Sequence, residues 1–323
     1  IVSQIVPGRA RGWDAVIVRN DPLAWWVSWF AWGARSPRAV IVYQTSFLHA
    51  WSGRRGATGW RRLISLVARV LESAAVRRAQ LCLCVSHAME KKLRRLYRVR
   101  DTRKFAVLPL GVCKDDFAGR KSASQRHLDV VYVGTYAPSR RLEVVVEGLD
   151  LVAKAHTQFT AEFWGGSHDP SHDLAIRMLA TERPWLTVNG RVGRHEALRR
   201  IEHAKIGLAT IPPTNEFSHS SPTKAVEYMA AGCAVVACRG ILSQDDLVRT
   251  SGGGILCEFD VESIGAAVLS LLRDPCGLDV MSVAGRGFVF AKREYGGMAH
   301  DLATRIRELS TKATEGTSYH TRM

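Results

Sequence analysis

The chain has 323 residues, 46% hydrophobic and 23% charged, with 45 Lys and Arg against 30 Asp and Glu for a net charge of +15. That balance excludes a disordered chain, and the length fits roughly two domains of ~100–200 residues, each with a core of its own. The charge is uneven: residues 1–120 hold 22 Lys and Arg against 7 Asp and Glu, whereas residues 121–323 hold 23 of each.

An excess confined to one third of the chain points to two domains with different partners. The sequence begins at Ile1, and Ile1–Asp14 has no secretory pattern. With so short a lead before the first strand, it reads as processed or as missing its true N-terminus. Short apolar, β-branched runs at 14–18, 39–43, 81–85 and 106–110 predict buried strands. Between the first two lies the longest uncharged apolar run, Pro22–Ala34, whose 13 residues fall short of the ~20 needed to span a bilayer. Seven of the nine Trp fall within the first 60 residues, with Trp25, Trp29 and Trp32 at helical spacing. Two readings are open: an aromatic core, or an interfacial helix at a membrane surface. A helix is predicted over Trp60–Arg78, with Trp60, Leu63, Ile64, Val67, Leu71, Ala74 and Ala75 on one face and arginines opposite. The basic run 91–104 follows. With the Arg-rich helix it would attract anionic lipid, each cation near the surface adding ~1 kcal/mol.

Gly111–Gln125 reads as the junction between domains. Beyond it, strands are predicted at 129–133, 160–164, 186–189, 206–211, 234–238 and 254–257. Helices are predicted near 141–155, 171–181, 195–203, 223–231, 261–273 and 279–290, and a polar tail from Thr311. Strand–helix alternation implies parallel sheets covered on both faces, with ligands at the carboxyl ends of the strands. Seven cysteines, odd in number and without a Cys-x-x-Cys, read as reduced thiols in a cytosolic protein.

The segment SSPTKAVEYMAAG, Ser220–Gly232, carries the most chemistry. Pro222 suits a first helical turn, and Ser220 or Ser221 can cap the helix start. Free N–H groups there, with the helix dipole, suit a phosphate. Lys224 lies in that first turn, and Glu227 sits one turn on, where a carboxylate can accept from ribose hydroxyls. A capped amphipathic helix with solvated Lys and Glu is the plain alternative.

SPTKAVEYMAAGCAVVA resembles the signature of the retaining, family 4 (group 1) glycosyltransferases of GT-B fold. Other segments are similar in the same order. VYVGTYAPSRRL (131–142) resembles the first strand and loop of the donor domain, and LCLCVSHAMEKKL the family segment ending in Val-Ser before a helix. VLPLGVCKDDF resembles the linker strand, with Leu110 in place of Asn, and IEHAKIGLATIPP the strand before the signature. The resemblance implies an α/β protein of two Rossmann-like doubly wound domains facing a central cleft. Residues 1–120 would be the acceptor-side domain, incomplete at its start, and 121–290 the nucleotide-sugar domain. Residues 291–323 would form a C-terminal helix packing back toward the first domain, with a tail.

The resemblance also implies roles. Glu227 would hold the ribose of the donor. Arg140 and Arg141, after Gly134 and Thr135, match the basic pair that neutralises the diphosphate, a charge that grows on the leaving group. Ser220, Ser221 and Lys224 would meet the phosphates. Gly190, Arg191 and Val192, in NGRVGR, match the loop whose backbone meets the base. Eight residues before Glu227 stands His219 where the family often has a glutamate, and Glu216 lies three residues too early. His219 is the candidate for that contact, and His49 the candidate toward the donor sugar, the two catalytic candidates. No cofactor and no obligatory metal are implied, and His168–Asp173 reads as a polar loop. Glu72 reads as structural. The expected activity is transfer of a sugar, with retention, from a nucleotide sugar to a glycan or lipid-linked acceptor in polysaccharide biosynthesis. It is expected in the cytoplasm, at the inner face of the membrane, with peripheral contact to anionic lipid. A non-catalytic relative and a sugar-nucleotide epimerase are alternatives. A nucleic-acid partner is disfavoured, because the aromatics are not interleaved with the basic residues.

Overall fold

The computed structural model describes residues 15–30, 40–46, 59–117, 122–214, 217–218, 221 and 223–320, without the side chains of 61 and 312–320. Two compact units divide the chain: 1–109 with 299–323, and Leu110–Met298.

In the first unit four parallel strands lie in the order β1 (Ala15–Arg19), β2 (Val40–Thr45), β3 (Leu81–Cys84) and β4 (Phe105–Val107). The helices between them are α1 (Pro22–Ser28), α2 (Gly59–Arg78) and α3 (His87–Tyr97). The continuous apolar runs of β2 and β3 are buried on both faces, as the inner strands of a parallel sheet require. Ile41, Tyr43, Cys82 and Cys84 face one side, with Trp25, Ala75, Val76, Met89 and Leu93. Val40, Val42, Leu81 and Leu83 face the other, against Leu302, Ile306 and Leu309 of the C-terminal helix α11 (Tyr295–His320, numbered after the helices of the second unit).

Asp21 caps α1 by accepting from the Ala24 amide at 2.9 Å, and Pro22 opens the helix. Trp25 is fully buried, and Trp26 and Trp29 pack against the same core, so these three take the core reading. Trp13, Trp32 and Trp51 lie outside the described residues. Helix α2 departs from expectation in its first half: Trp60, Leu63, Ile64 and Val67 are at least half exposed. Of the predicted stripe only Ala75 joins the buried core under the sheet, while Leu71 and Ala74 are half-buried. Among the described residues no helix is long and apolar enough to cross a membrane.

The second unit has six parallel strands. They are β5 (Leu128–Thr135), β6 (Ala161–Gly166), β7 (Leu186–Asn189), β8 (Ala204–Ala209), β9 (Ala234–Cys238) and β10 (Gly254–Cys257), in the spatial order 10-9-8-5-6-7. The helices are α4 (Leu142–Ala155), α5 (Pro170–Ala180), α6 (Arg194–Glu202), α7 (Thr223–Ala230), α8 (Leu242–Ser251), α9 (Val261–Arg273) and α10 (Pro275–Lys292). Helix α8 has no counterpart among the predicted helices. Strand alternation divides the core: Val130 and Tyr132 face α4 and α9, whereas Val131 and Val133 face α7. The chain steps outward from β5 to β7, then returns to set β8 on the other side of β5. That reversal opens a crevice at the carboxyl ends of β5 and β8, the ligand position in open α/β sheets.

Candidate nucleotide site in the second unit

Strand β5 ends at Gly134 and Thr135, and the chain passes through a tight turn, Pro138–Arg140, into α4. Arg141 at the junction holds a left-handed backbone, φ 49° and ψ 51°, a conformation that costs a non-glycine residue roughly 1–2 kcal/mol and clusters at functional sites. The Arg140 guanidinium lies 4.4 Å over the ring of Phe217, in the segment after β8. The two loops that flank the crevice therefore touch. Arg141 lies 5.6 Å from the Phe259 ring centroid and 3.7 Å from Glu143. Among the described residues no carboxylate pairs with Arg140.

Strands β5 and β6 approach closely at this edge. A Cβ on Gly165 would stand 1.7 Å from the carbonyl oxygen of Gly134, so the glycine is required by the strand spacing. Tyr132 donates to the Thr135 carbonyl at 3.0 Å, and burial raises its phenol to about 12 despite the nearby Arg140 charge. The loop after β7 is tied to the same edge. Tyr136 donates to the Asn189 carbonyl at 2.8 Å, and Arg191 to that of Gly166 at 3.3 Å. Gly190 and Val192 flank Arg191, with Val192 exposed.

Helix α7 enters from the β8 side. Ser221 is buried just before it, and Gly232, at φ 74°, ends it. Glu227 is one turn in, its side chain only 6% exposed. Lys224 donates to Glu227 Oε2 at 3.0 Å, and Arg194 to Oε1 at 2.7 Å. The second Arg194 nitrogen reaches Asp116 at 3.1 Å. Burial lowers the Arg194 guanidinium, but its hydrogen bonds to Glu227 and Asp116 outweigh it, and the net shift is upward. Two cations thus donate to the buried carboxylate, one at each oxygen.

The structure thus brings Gly134, Thr135, Arg140, Arg141, Gly190, Arg191, Val192, Ser221, Lys224 and Glu227 to the carboxyl edge of one sheet. His49, Ser220, His219 and Glu216 lie outside the described residues. The polar loop after β6 is self-satisfied: Asp173 accepts from the Ser167 amide and Asp169 from that of Ser171. Sequence reasoning missed Arg194, Asp116 and Phe217. Arg194 lies in the quoted run NGRVGR, yet no local pattern announces a partner 33 residues away.

Residues 127–274 match the family model described as glycosyl transferases group 1. No curated protein is significantly similar to the chain. Among solved structures, sucrose-phosphate synthase from Thermosynechococcus elongatus is similar at TM-score 0.69 and 19% identity, over 93% of this chain and 74% of that one. HepE of Anabaena, in complex with UDP, is similar at TM-score 0.66 and 14% identity, over 92% and 79%. WaaG, a glycosyltransferase involved in lipopolysaccharide biosynthesis, is similar at TM-score 0.60 and 13% identity, over 85% and 81%. With two parallel α/β units the chain has the GT-B fold of these solved structures.

Proposed function

We propose that the protein is a retaining glycosyltransferase, of the hexosyltransferase class, that moves a sugar from a nucleotide sugar to a glycan or lipid-linked acceptor. The observation that carries this reading is the buried, doubly paired carboxylate of Glu227, one turn behind a helix start at the point where the strand order reverses. A nucleoside diphosphate fits that place. Its ribose hydroxyls donate to Glu227. Its phosphates meet the start of α7 with Ser220, Ser221 and Lys224. Arg140 and Arg141 stabilise the charge that grows on the leaving diphosphate, the step on which the barrier depends. Gly134 and Thr135 form the floor beneath the donor, and the backbone of Gly190, Arg191 and Val192 takes the base. These cations supply the charge stabilisation for which a metal would otherwise serve, so the proposed reaction needs no obligatory metal.

His219, standing where the family often has a glutamate, and His49 are proposed as the two residues that contact the transferred sugar. The donor's own diphosphate acts as the base. The acceptor falls to the first unit, whose basic excess suits an anionic membrane or a pyrophosphate-linked carrier, at the inner face of the cytoplasmic membrane.

The test is calorimetric titration with UDP, GDP and ADP, followed by transfer assays with the matching nucleotide sugars. UDP is the first probe, since it is the nucleotide held by the similar HepE structure. Binding of one nucleoside diphosphate in the micromolar range, and turnover dependent on its sugar conjugate, are expected. Loss of binding by about tenfold or more in Glu227→Ala is expected from the removal of charged hydrogen bonds. Absence of any nucleotide binding overturns the reading.

A further inference from the structure

We propose that Arg194 is a positioning residue that fixes the Glu227 carboxylate for ribose recognition, and that Asp116 holds Arg194 in turn. This deepens the donor reading above and rests on it.

Glu227 is held at both oxygens, by cations of different kinds. Lys224 is three residues earlier on the same helix and bonds Oε2 through a single nitrogen at 3.0 Å. A flexible stem with a point charge sets a distance but no plane. Lys224 also lies in the first turn of α7, the helix start proposed for the phosphates, so a bound diphosphate would compete with Glu227 for its charge. Arg194 comes from another helix, α6, and reaches Oε1 at 2.7 Å. Its second nitrogen is anchored on Asp116 at 3.1 Å. A planar fork pinned at both tips has its orientation fixed, and it passes that orientation to the carboxylate. Arg194 is thus the cation that stays on Glu227 when phosphate draws on Lys224.

The placement of Arg194 supports the same role. It is the first residue of α6, where the helix dipole opposes a cation. No local interaction of α6 favours a cation there; the carboxylates of Glu227 and Asp116 do. The residues just before it, Gly190–Val192, form the loop proposed for the base. One short segment therefore sets both the base contact and the ribose carboxylate, so the two ends of the nucleoside are registered against each other. The Arg194 side chain is half exposed, at 51%, which places it at the lip of the crevice and makes it tolerant of substitution.

The experiment titrates the full chain by calorimetry with the tightest-binding of UDP, GDP and ADP and with its 2′,3′-dideoxy counterpart. The parent is expected to bind the dideoxy compound about 10- to 100-fold more weakly, the range for hydrogen bonds to a charged group. Arg194→Met keeps the stem and removes the fork. Its ratio is expected to fall to about threefold or less, while its affinity for the dideoxy compound stays within about threefold of the parent's. Arg194→Lys, which can reach one carboxylate at a time, is expected to restore part of the ratio. An equal loss for both compounds in Arg194→Met overturns the role, because it marks a general effect on phosphate binding or folding. So does a ratio that stays at the parent's value. If Arg194→Met does not fold, Asp116→Asn decides: a ratio reduced by about threefold at unchanged melting temperature supports the proposal, and an unchanged ratio overturns it. A parent that binds no nucleoside diphosphate overturns the donor reading and this role together, whereas binding with no dependence on the ribose hydroxyls overturns this role alone.

Discussion

Two buried glutamates show how one residue type serves two ends. Glu72 is fully buried and accepts from Tyr43 at 3.2 Å and from Tyr97 at 2.5 Å. Burial first, and the Glu72 charge second, push both phenols far up, so both remain donors. Glu72→Leu removes the acceptor from two hydroxyls inside the first unit. It is expected to cost about 2–4 kcal/mol of stability, read by chemical denaturation, with nucleotide affinity unchanged. Glu227→Ala is expected to behave the other way, with the melting temperature nearly kept and nucleotide binding weakened. Arg140→Ala should lower kcat by about 100-fold, the scale for losing one stabiliser of a developing anion. An unchanged kcat in a transfer assay would remove Arg140 from the leaving-group role. Glu227, Lys224 and the two arginines were legible in the sequence because helix-start chemistry and family spacing are local. Arg194 and Asp116 were not, since their meaning lies in a contact that only the sheet order creates.

At the scale of elements, the strands were the easiest to read. A parallel strand buried on both faces shows as an unbroken β-branched run, and 186–189, 234–238 and 254–257 have the same bounds in sequence and structure. Helix α8 was lost for the opposite reason. Its sequence, LSQDDLVRTS, is mostly polar, and only Gln244, Leu247, Val248 and Ser251 are buried. Helix α2 had the right period, yet period states which residues share a face and not what covers that face. The strand ends near the site are set by close backbone approach. Gly165→Ala would press a methyl group onto the Gly134 carbonyl, at 1.7 Å before relaxation. The strands must part or the edge must rebuild, so a loss of about 2 kcal/mol or more is expected, with weaker nucleotide binding. A stable Gly165→Ala protein with parental affinity would show that the edge is loose.

For the whole molecule, the division into two units sets what can fail separately. The chain leaves the first unit at Pro109 and re-enters it at Ala299, where α11 becomes part of that unit. Leu302, Ile306 and Leu309 complete one side of its sheet, against Val40, Val42, Leu81 and Leu83. The unit that carries all of the excess positive charge is therefore built from segments on both sides of the second unit. Ile306→Asp would set a carboxylate against that apolar face, where no partner is available among the named core residues. It is expected to destabilise the first unit by about 2–4 kcal/mol. The second unit has its own two cores and holds the whole of the proposed nucleotide edge. Differential scanning calorimetry should then show the first transition moved down by several degrees for each kcal/mol lost, with the second transition in place. Nucleotide affinity at a temperature below both transitions should stay within about twofold of the parent's, as independent sites predict. A single transition that shifts as one, with nucleotide affinity lost alongside, would mean that the two units fold as a single cooperative body.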